Sequence, residues 1–154
     1  MGSSGNGSVR RNAWGFFKQF VAHPKEVGAF AASSRYLAGA VTEAAGVPDA
    51  DVVVEFGAGT GTITQVLCTR LQDGATFFSL EINPDFVDVC RKCLPGVEII
   101  QGSAEDTPRF LKEHGKDFCD SIVSGLPWAA FDEELQDRLL DATLSALRPG
   151  GKLA

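Results

Sequence analysis

The 154-residue chain has no apolar run near the ~20 residues that a membrane-spanning helix needs. Its first residues lack the apolar core of a signal peptide, and Asn6 stands where the N-myristoylation pattern requires Ser or Thr. These absences exclude the common secretory, membrane-spanning and acylated classes, so we expect a cytoplasmic protein. A chain of this length is enough for one domain and hardly two.

Basic residues are too few for a typical nucleic-acid binder. The formal net charge is −6, which disfavours a protein that must neutralise phosphates. The charge is uneven, because residues 1–40 hold five basic residues and one acidic residue, a net +4 that leaves −10 for the remainder. A basic N-terminal segment could meet an anionic membrane surface, or it could be an ordinary solvated face.

Potential metal ligands are also scarce. The chain has four cysteines, Cys68, Cys90, Cys93 and Cys119. Cys90 and Cys93 form a CxxC pair, but no second pair or nearby histidine completes a zinc site. His23 and His114 are isolated, and we assign neither as a base. We therefore predict no metal site, and reduced structural thiols.

The first third of the chain indicates helices. Residues 1–8 are rich in Gly and Ser, which predicts disorder. Residues 9–50 show apolar spacings of three and four, with a first helix that Pro24 ends. A second helix is predicted to begin after Ser33 or Ser34, because both are good N-caps. This segment would be a lid on the domain, a membrane-contact surface, or both.

Residues 51–154 alternate between strand-like and helix-like segments. This alternation predicts an α/β domain, a Rossmann-like doubly wound parallel sheet with helices on both faces. The last helix is predicted to begin near Asp132 and to end at residues 149–151, and residues 152–154 would open a fifth strand. The four earlier strands are DVVVEF, ATFFSLEI, GVEIIQG and DSIVSGL.

A glycine loop joins the first predicted strand to a helix in VVVEFGAGTGTIT. Gly57, Gly59 and Gly61 allow a tight turn and a close approach to a ligand at the helix N-terminus. The dinucleotide fingerprint would need glycine at position 62, which is Thr62. Glu55 would repel a pyrophosphate and suits a cationic group. A glycine turn without a ligand is the alternative.

Glu81 ends the second predicted strand, twenty residues after Gly61. A carboxylate there can accept two hydrogen bonds from a ribose diol. Taken alone, Glu81 would more readily be a surface acid, but the glycine loop favours the ribose role.

Together these residues resemble the class I S-adenosylmethionine-dependent methyltransferases. The resemblance covers residues 51–154 and implies S-adenosylmethionine as the cofactor and a seven-stranded fold, here truncated as strand five begins. The glycines would pack on the methionine part of the cofactor, with Glu55 beside its amino group and Glu81 on its ribose. Ser103 stands where the family often has an aspartate near adenine. The cofactor-binding residues so implied are Glu55, Gly57, Ala58, Gly59, Gly61, Glu81, Ile82, Ser103, Ala104 and Ser124.

The stretch SGLPW follows the fourth predicted strand, where this family places the methyl acceptor. Amino-group methyltransferases often show [N/D/S]-P-P-[Y/F/W], and ribosomal RNA adenine dimethylases show N-L-P-[Y/F]. Gly125 stands where the amide side chain would be, which disfavours base methylation. Trp128, predicted to be exposed, would offer its ring to a nitrogen that becomes cationic, and the carbonyl of Gly125 or Leu126 would orient the amine. The alternative is a tryptophan that is only packed under a loop.

A narrower resemblance covers residues 14–154. The segments FFKQFVAHPKEVGAFAASSRYLA, LEINPDF and SGLPW are similar to the bacterial phospholipid N-methyltransferases, which methylate the amine of phosphatidylethanolamine. It implies a phospholipid or small-amine acceptor and a peripheral position on the inner membrane face. The alternatives are another acceptor, such as ribosomal RNA adenine, or a non-catalytic cofactor-binding fragment. The residues predicted to act on the acceptor are Gly125, Leu126, Pro127, Trp128 and Tyr36.

Overall fold

The computed structural model of the protein describes residues 27–154, with side chains from residue 35 onward. The predicted disorder of residues 1–8 and the predicted first helix lie outside the described residues. None of the described helices combines the length and the hydropathy needed to cross a bilayer.

Within the described residues, parallel strands form one sheet in the order β3-β2-β1-β4-β5. Strands β1, β2 and β4 are short, largely buried runs, as expected for parallel strands covered on both faces. The chain reverses its direction of travel across the sheet between β1 and β4, which makes that gap the topological switch point. The strands are β1 (Val52–Phe56), β2 (Thr76–Glu81), β3 (Ile99–Gln101), β4 (Cys119–Ser124) and β5 (Leu147–Leu153).

Helices cover both faces of the sheet, which confirms the predicted doubly wound α/β fold. They are α1 (Val27–Ala44), α2 (Thr62–Cys68), α3 (Pro84–Cys93), α4 (Thr107–Glu113) and α5 (Glu133–Ala146). Short 3₁₀ turns occupy Val47–Asp49, Ala104–Asp106 and Trp128–Ala130.

The core divides between the two faces because successive strand residues point to opposite sides. Val52, Val54 and Phe56 of β1 pack with α4 and α5 through Phe110, Leu111, Leu139 and Ala146. Val53 packs on the other face with Leu67 of α2 and with Val47, just after α1. Residues of α3 cover the same face at β3, where Val87 and Cys90 contact Ile99.

The predicted start of the second helix is wrong. Residues from Val27 onward are already helical, so Ser33 and Ser34 lie inside α1 and do not cap it. The segment before them, VGAFAA, contains three alanines, the residue with the highest helix propensity, and no proline that would break a helix.

The predicted end of the last helix is also wrong, although Asp132 is its N-cap as expected. Helix α5 ends at Ala146, and β5 runs through the Pro-Gly-Gly segment of residues 149–151. A register shift between Cys119 and Ser121 accommodates that segment against β4. Proline is tolerated in a strand at such an irregularity because no regular ladder bond is lost there.

Candidate active site

A cavity of about 380 Å³ opens at the carboxyl ends of the strands, at the switch point. Its volume lies within the roughly 300–1,000 Å³ of small-molecule sites, and its position is where open parallel sheets bind ligands. Its lining residues are Gly57, Leu80, Glu81, Ile82, Asn83, Pro84, Gly102, Ser103, Ala104, Glu105, Leu126, Pro127, Phe131, Leu135 and Leu139.

The glycine loop forms the edge of this cavity next to β1. Gly57 has a φ of +80°, in the left-handed region that favours glycine. Its N–H donates to the Leu80 carbonyl at 2.8 Å, so the loop is tied to the end of β2. A Cβ at this position would lie 2.9 Å from Cδ2 of Leu126. Only glycine therefore lets the loop after β4 close over the loop after β1.

Glu81 joins the glycine loop to the start of α3. Its side chain is buried, with an exposed fraction of 3%. Oε2 accepts a hydrogen bond from Gly59 N at 2.9 Å, and Oε1 accepts one from Asn83 N at 2.8 Å. Each carboxylate oxygen has a second lone pair. Glu81 can therefore hold the loop in place and still accept hydroxyl donors from a ligand in the cavity.

Asn83 lines the cavity, although it was not among the site residues predicted from the sequence. Its Oδ1 accepts from Asp85 N at 2.9 Å and caps α3, with Pro84 in the first turn. Asn followed by Pro at a helix start is a strong capping signal. The stretch INPD could thus have placed Asn83 beside Glu81.

The residues after β3 form another wall of the cavity. Ser103 and Ala104 both line it. The Ser103 hydroxyl accepts from Glu105 N at 3.2 Å and caps the short 3₁₀ turn. Gly102 lets the chain pass Phe110, because a Cβ there would lie 2.7 Å from the phenylalanine ring.

An apolar wall completes the cavity, and most of it was missed from the sequence. Leu126 and Pro127 come from the loop after β4, and they had been predicted. Phe131, Leu135 and Leu139 come from the start of α5 and the residue before its cap. The signal that could have found them is the apolar stripe of α5, whose other residues face the core.

Glu55 lies beneath the glycine loop on the α2 face and is fully buried. Its Oε2 accepts from Thr64 Oγ1 at 2.8 Å, whereas Oε1 and the nearby Ser79 Oγ have no hydrogen-bond partner among the described residues. Burial, with a small addition from the charge of Glu81, raises the pKa of Glu55 to about 7, although the hydrogen bond from Thr64 opposes this rise.

The SGLPW loop is pinned by its own serine. Ser124 Oγ accepts from Trp128 Nε1 at 2.9 Å and from Leu126 N at 3.3 Å. The predicted exposure of Trp128 is wrong, because the residue is half-buried and packs on the core between the sheet and helices α4 and α5. The Leu126 carbonyl accepts from Trp128 N at 3.0 Å, so that carbonyl is already engaged. The Gly125 carbonyl is thus the better candidate to orient an acceptor.

The structure brings together about half of the residues predicted from the sequence. Tyr36 is not among the lining residues; it lies on α1 with 82% of its surface exposed. Ala58 is buried against α3. Residues that line the cavity are Gly57, Glu81, Ile82, Ser103, Ala104, Leu126 and Pro127. Those that lie behind or beside it are Glu55, Ala58, Gly59, Gly61, Ser124, Gly125 and Trp128.

The profile of the methyltransferase domain family matches residues 53–151. The chain belongs to this methyltransferase family. S-adenosylmethionine is the cofactor of the methyltransferase, as the family resemblance of the glycine loop and of Glu81 at the end of β2 had implied. The fold and the family expected from the sequence are thus confirmed.

Relatives of the methyltransferase include proteins of known and unknown activity. An ornithine lipid N-methyltransferase of Singulisphaera acidiphila is 32% identical over 139 residues, which cover 88% of this chain and 72% of the relative. An uncharacterised methyltransferase of Oceanobacillus iheyensis is 30% identical over 101 residues, which cover 66% of this chain and 44% of the relative.

Solved structures show the same fold. DesVI of Streptomyces venezuelae has a TM-score of 0.59 and 19% identity, covering 94% of this chain and 55% of its own. CalS10, an amino pentose methyltransferase of Micromonospora echinaspora solved with S-adenosylmethionine bound, has a TM-score of 0.61 and 21% identity, covering 88% of this chain and 53% of its own. The methyltransferase therefore spans about half the length of these solved relatives.

Proposed function

We propose that the methyltransferase transfers a methyl group from S-adenosylmethionine to the amine of a lipid headgroup. The observation that carries the proposal is the match with the ornithine lipid N-methyltransferase, which extends over 139 residues. The general domain profile covers only residues 53–151. The similarity to a lipid enzyme therefore includes residues outside the cofactor-binding domain.

The residues around the cavity fit the cofactor. The carboxylate of Glu81 is fixed by two backbone N–H groups and keeps lone pairs for the ribose hydroxyls. Ile82 and Ala104 offer apolar surface to the adenine, and the Ser103 hydroxyl retains its own proton for donation. When bound, the sulfonium of the cofactor supplies an electrophilic methyl group.

Glu55 lies beneath the glycine loop and is partly ionised at neutral pH, because its pKa is about 7. One of its carboxylate oxygens has no hydrogen-bond partner among the described residues, and an unpaired buried oxygen favours a nearby cation. In its ionised form Glu55 would therefore raise the affinity of the loop for the cofactor's amino group. Its charge acts through low-dielectric surroundings, where it is weakly screened.

The acceptor wall has no polar side chain at position 125. A Cβ on Gly125 would lie 3.0 Å from the Gly57 carbonyl oxygen and 3.4 Å from Ile63 Cδ1. An asparagine there would press against the glycine loop, so a nucleobase amino group would find no side-chain amide. An aliphatic amine needs only an acceptor such as the Gly125 carbonyl.

The described part of α1 supports contact with a membrane surface. Tyr36 and Leu37 are exposed, next to the exposed Arg35. Apolar and aromatic side chains beside a cation are typical of helices that bind an anionic interface. This part of α1 is therefore a candidate contact surface for a membrane that carries the lipid acceptor.

The proposal is tested by incubating the protein with methyl-labelled S-adenosylmethionine and three separate acceptors. These are vesicles with phosphatidylethanolamine, vesicles with ornithine lipid, and ribosomal RNA. We expect label in one or both lipids and none in the RNA. Label in RNA alone would show that the acceptor is a nucleobase and not a lipid. Cofactor binding without transfer to any acceptor would favour a non-catalytic fragment.

A further inference from the structure

Cys90 of α3 contacts the glycine loop directly. Its side chain is fully buried, and Sγ donates to the Gly59 carbonyl at 3.1 Å. The sequence motif around it, Cys-Arg-Lys-Cys, was predicted to hold reduced structural thiols, and the second cysteine of the motif, Cys93, is exposed. The two thiols therefore have different surroundings, and only Cys90 can act on the loop.

Gly59 is held at both of its backbone polar groups. Its N–H donates to Glu81 Oε2 at 2.9 Å, and its carbonyl accepts from Cys90. Its φ of +53° lies in the left-handed region. Because the groups on both sides of the residue are fixed, the peptide that leads into α2 has a defined orientation. The residues that follow this peptide carry the free N–H groups at the start of α2, which the cofactor would meet in the proposed site.

The thiol also fits the space under the next glycine. Gly61 is the N-cap of α2, with a φ of +86°. A Cβ on Gly61 would lie 3.4 Å from Cys90 Sγ and 3.1 Å from Leu94 Cδ1. Cys90 thus hydrogen-bonds to Gly59, and its Sγ borders the space that a side chain on Gly61 would need.

Cys90 remains a hydrogen-bond donor across the physiological range. Burial, together with the smaller effects of the charges of Glu55 and Glu81, raises the pKa of its thiol to about 11. A protonated, buried thiol is a weak donor and a poor nucleophile. The chemistry available to Cys90 is therefore support of the loop.

We infer that Cys90 is a positioning residue, which holds the glycine loop in the form that binds the cofactor. The inference rests on the proposed cofactor site. It predicts that loss of the donor weakens binding of the cofactor and leaves turnover at saturating cofactor nearly unchanged, because Cys90 does not line the cavity.

Two matched pairs of variants isolate the hydrogen bond from packing. Cys90→Ser keeps a hydroxyl donor that Cys90→Ala lacks. Cys90→Thr keeps a hydroxyl where Cys90→Val has a methyl group of similar size. Titration calorimetry with S-adenosylhomocysteine should show affinity about five- to tenfold weaker without the donor, the cost of an unpaired buried carbonyl. Cys93→Ser on the same helix is the control and should bind like wild type.

Outcomes for the inference and for the proposed function are distinct. If wild type binds no cofactor product, the proposed cofactor site is wrong. If wild type binds and both members of each pair bind equally, the positioning role is wrong. Should the Ala and Val variants fail to fold, amide exchange at residues 59–61 of Cys90→Ser decides. Protection equal to wild type supports a hydrogen-bonded loop, and fast exchange despite a folded core contradicts it.

Discussion

Replacement of Glu55 by glutamine should stabilise the protein at neutral and alkaline pH. Glu55 is fully buried, and burial is the main cause of its raised pKa of about 7. Glutamine keeps the shape and the oxygen that accepts from Thr64. Its amide can donate toward Ser79, whose hydroxyl has no partner among the described residues. The substitution therefore removes a buried charge without removing the side chain.

The magnitude follows from the two pKa values. The ordinary value is 4.5 and the folded value is about 7, a rise of about 2.5 units that corresponds to about 3 kcal/mol. Because the folded pKa is the higher one, the native state binds more protons between these values. The stabilisation from protonated Glu55 is full below pH 4.5 and is lost as pH rises through 7.

Urea unfolding of wild type and Glu55→Gln from pH 4 to pH 8 measures this difference. The two free energies of unfolding should be similar near pH 4, and the variant should be about 3 kcal/mol more stable at pH 8. Exposed Asp88 supplies the control, since Asp88→Asn should follow the wild-type profile. If the free energies of unfolding of wild type and Glu55→Gln changed with pH in the same way, the reasoning would be refuted. Cofactor affinity should fall in the same variant, a trade of function for stability.

Two further predictions concern Glu81 and His114. Glu81→Gln turns an amide N–H₂ toward one of the two backbone N–H groups that now donate to Glu81. Calorimetry should show cofactor binding at least about tenfold weaker, and the free energy of unfolding should fall by about 1–3 kcal/mol. Wild-type affinity would contradict the ribose role. Burial lowers the pKa of His114, but the Phe110 carbonyl and Glu98 raise it above its ordinary value. Both partners accept, so only the imidazolium pairs with both. The stabilisation is full below about pH 6.5 and fades as pH rises through the folded pKa. Glu98→Gln should therefore lower thermal stability at acidic pH by at most about 1 kcal/mol, with little effect at alkaline pH; an equal loss at both would contradict the pairing.

Features set by short-range chemistry could be predicted from the sequence. The glycine loop needs positive φ at Gly57, Gly59 and Gly61, and only glycine adopts it readily. Glu81 ends a strand whose neighbour carries that loop, so parallel pairing alone brings it close. Asp132 caps α5 as its residue type predicts.

Features set by long-range contacts could not be predicted in the same way. Trp128 is half-buried because its ring packs on core residues that come from distant parts of the chain. Phe131 and Leu139 line the cavity because α5 packs across the sheet ends. Cys90 was predicted to be a structural thiol, but its partner, the carbonyl of Gly59, lies 31 residues away in sequence and could not be named in advance.

The ends of helices α1 and α5 could not be placed from local sequence signals alone, because neighbouring residues and strand pairing also determine them. Ser33 and Ser34 are good caps, but the alanine-rich segment before them continues α1. The Pro-Gly-Gly of residues 149–151 resembles a helix stop followed by a turn. In the fold those residues belong to β5, because pairing with β4 resumes at Lys152 after a register shift.

The measurement that tests the proposed function most directly is formation of S-adenosylhomocysteine with two kinds of vesicle. One contains an amine lipid, phosphatidylethanolamine or ornithine lipid, and the other contains phosphatidylcholine, whose headgroup nitrogen is already fully methylated. The proposal predicts product that accumulates with the amine-lipid vesicles, with a matching loss of unmethylated lipid, and none above background with phosphatidylcholine. Equal product with both vesicles, or none with either from a protein that binds the cofactor, would contradict methylation of a lipid amine.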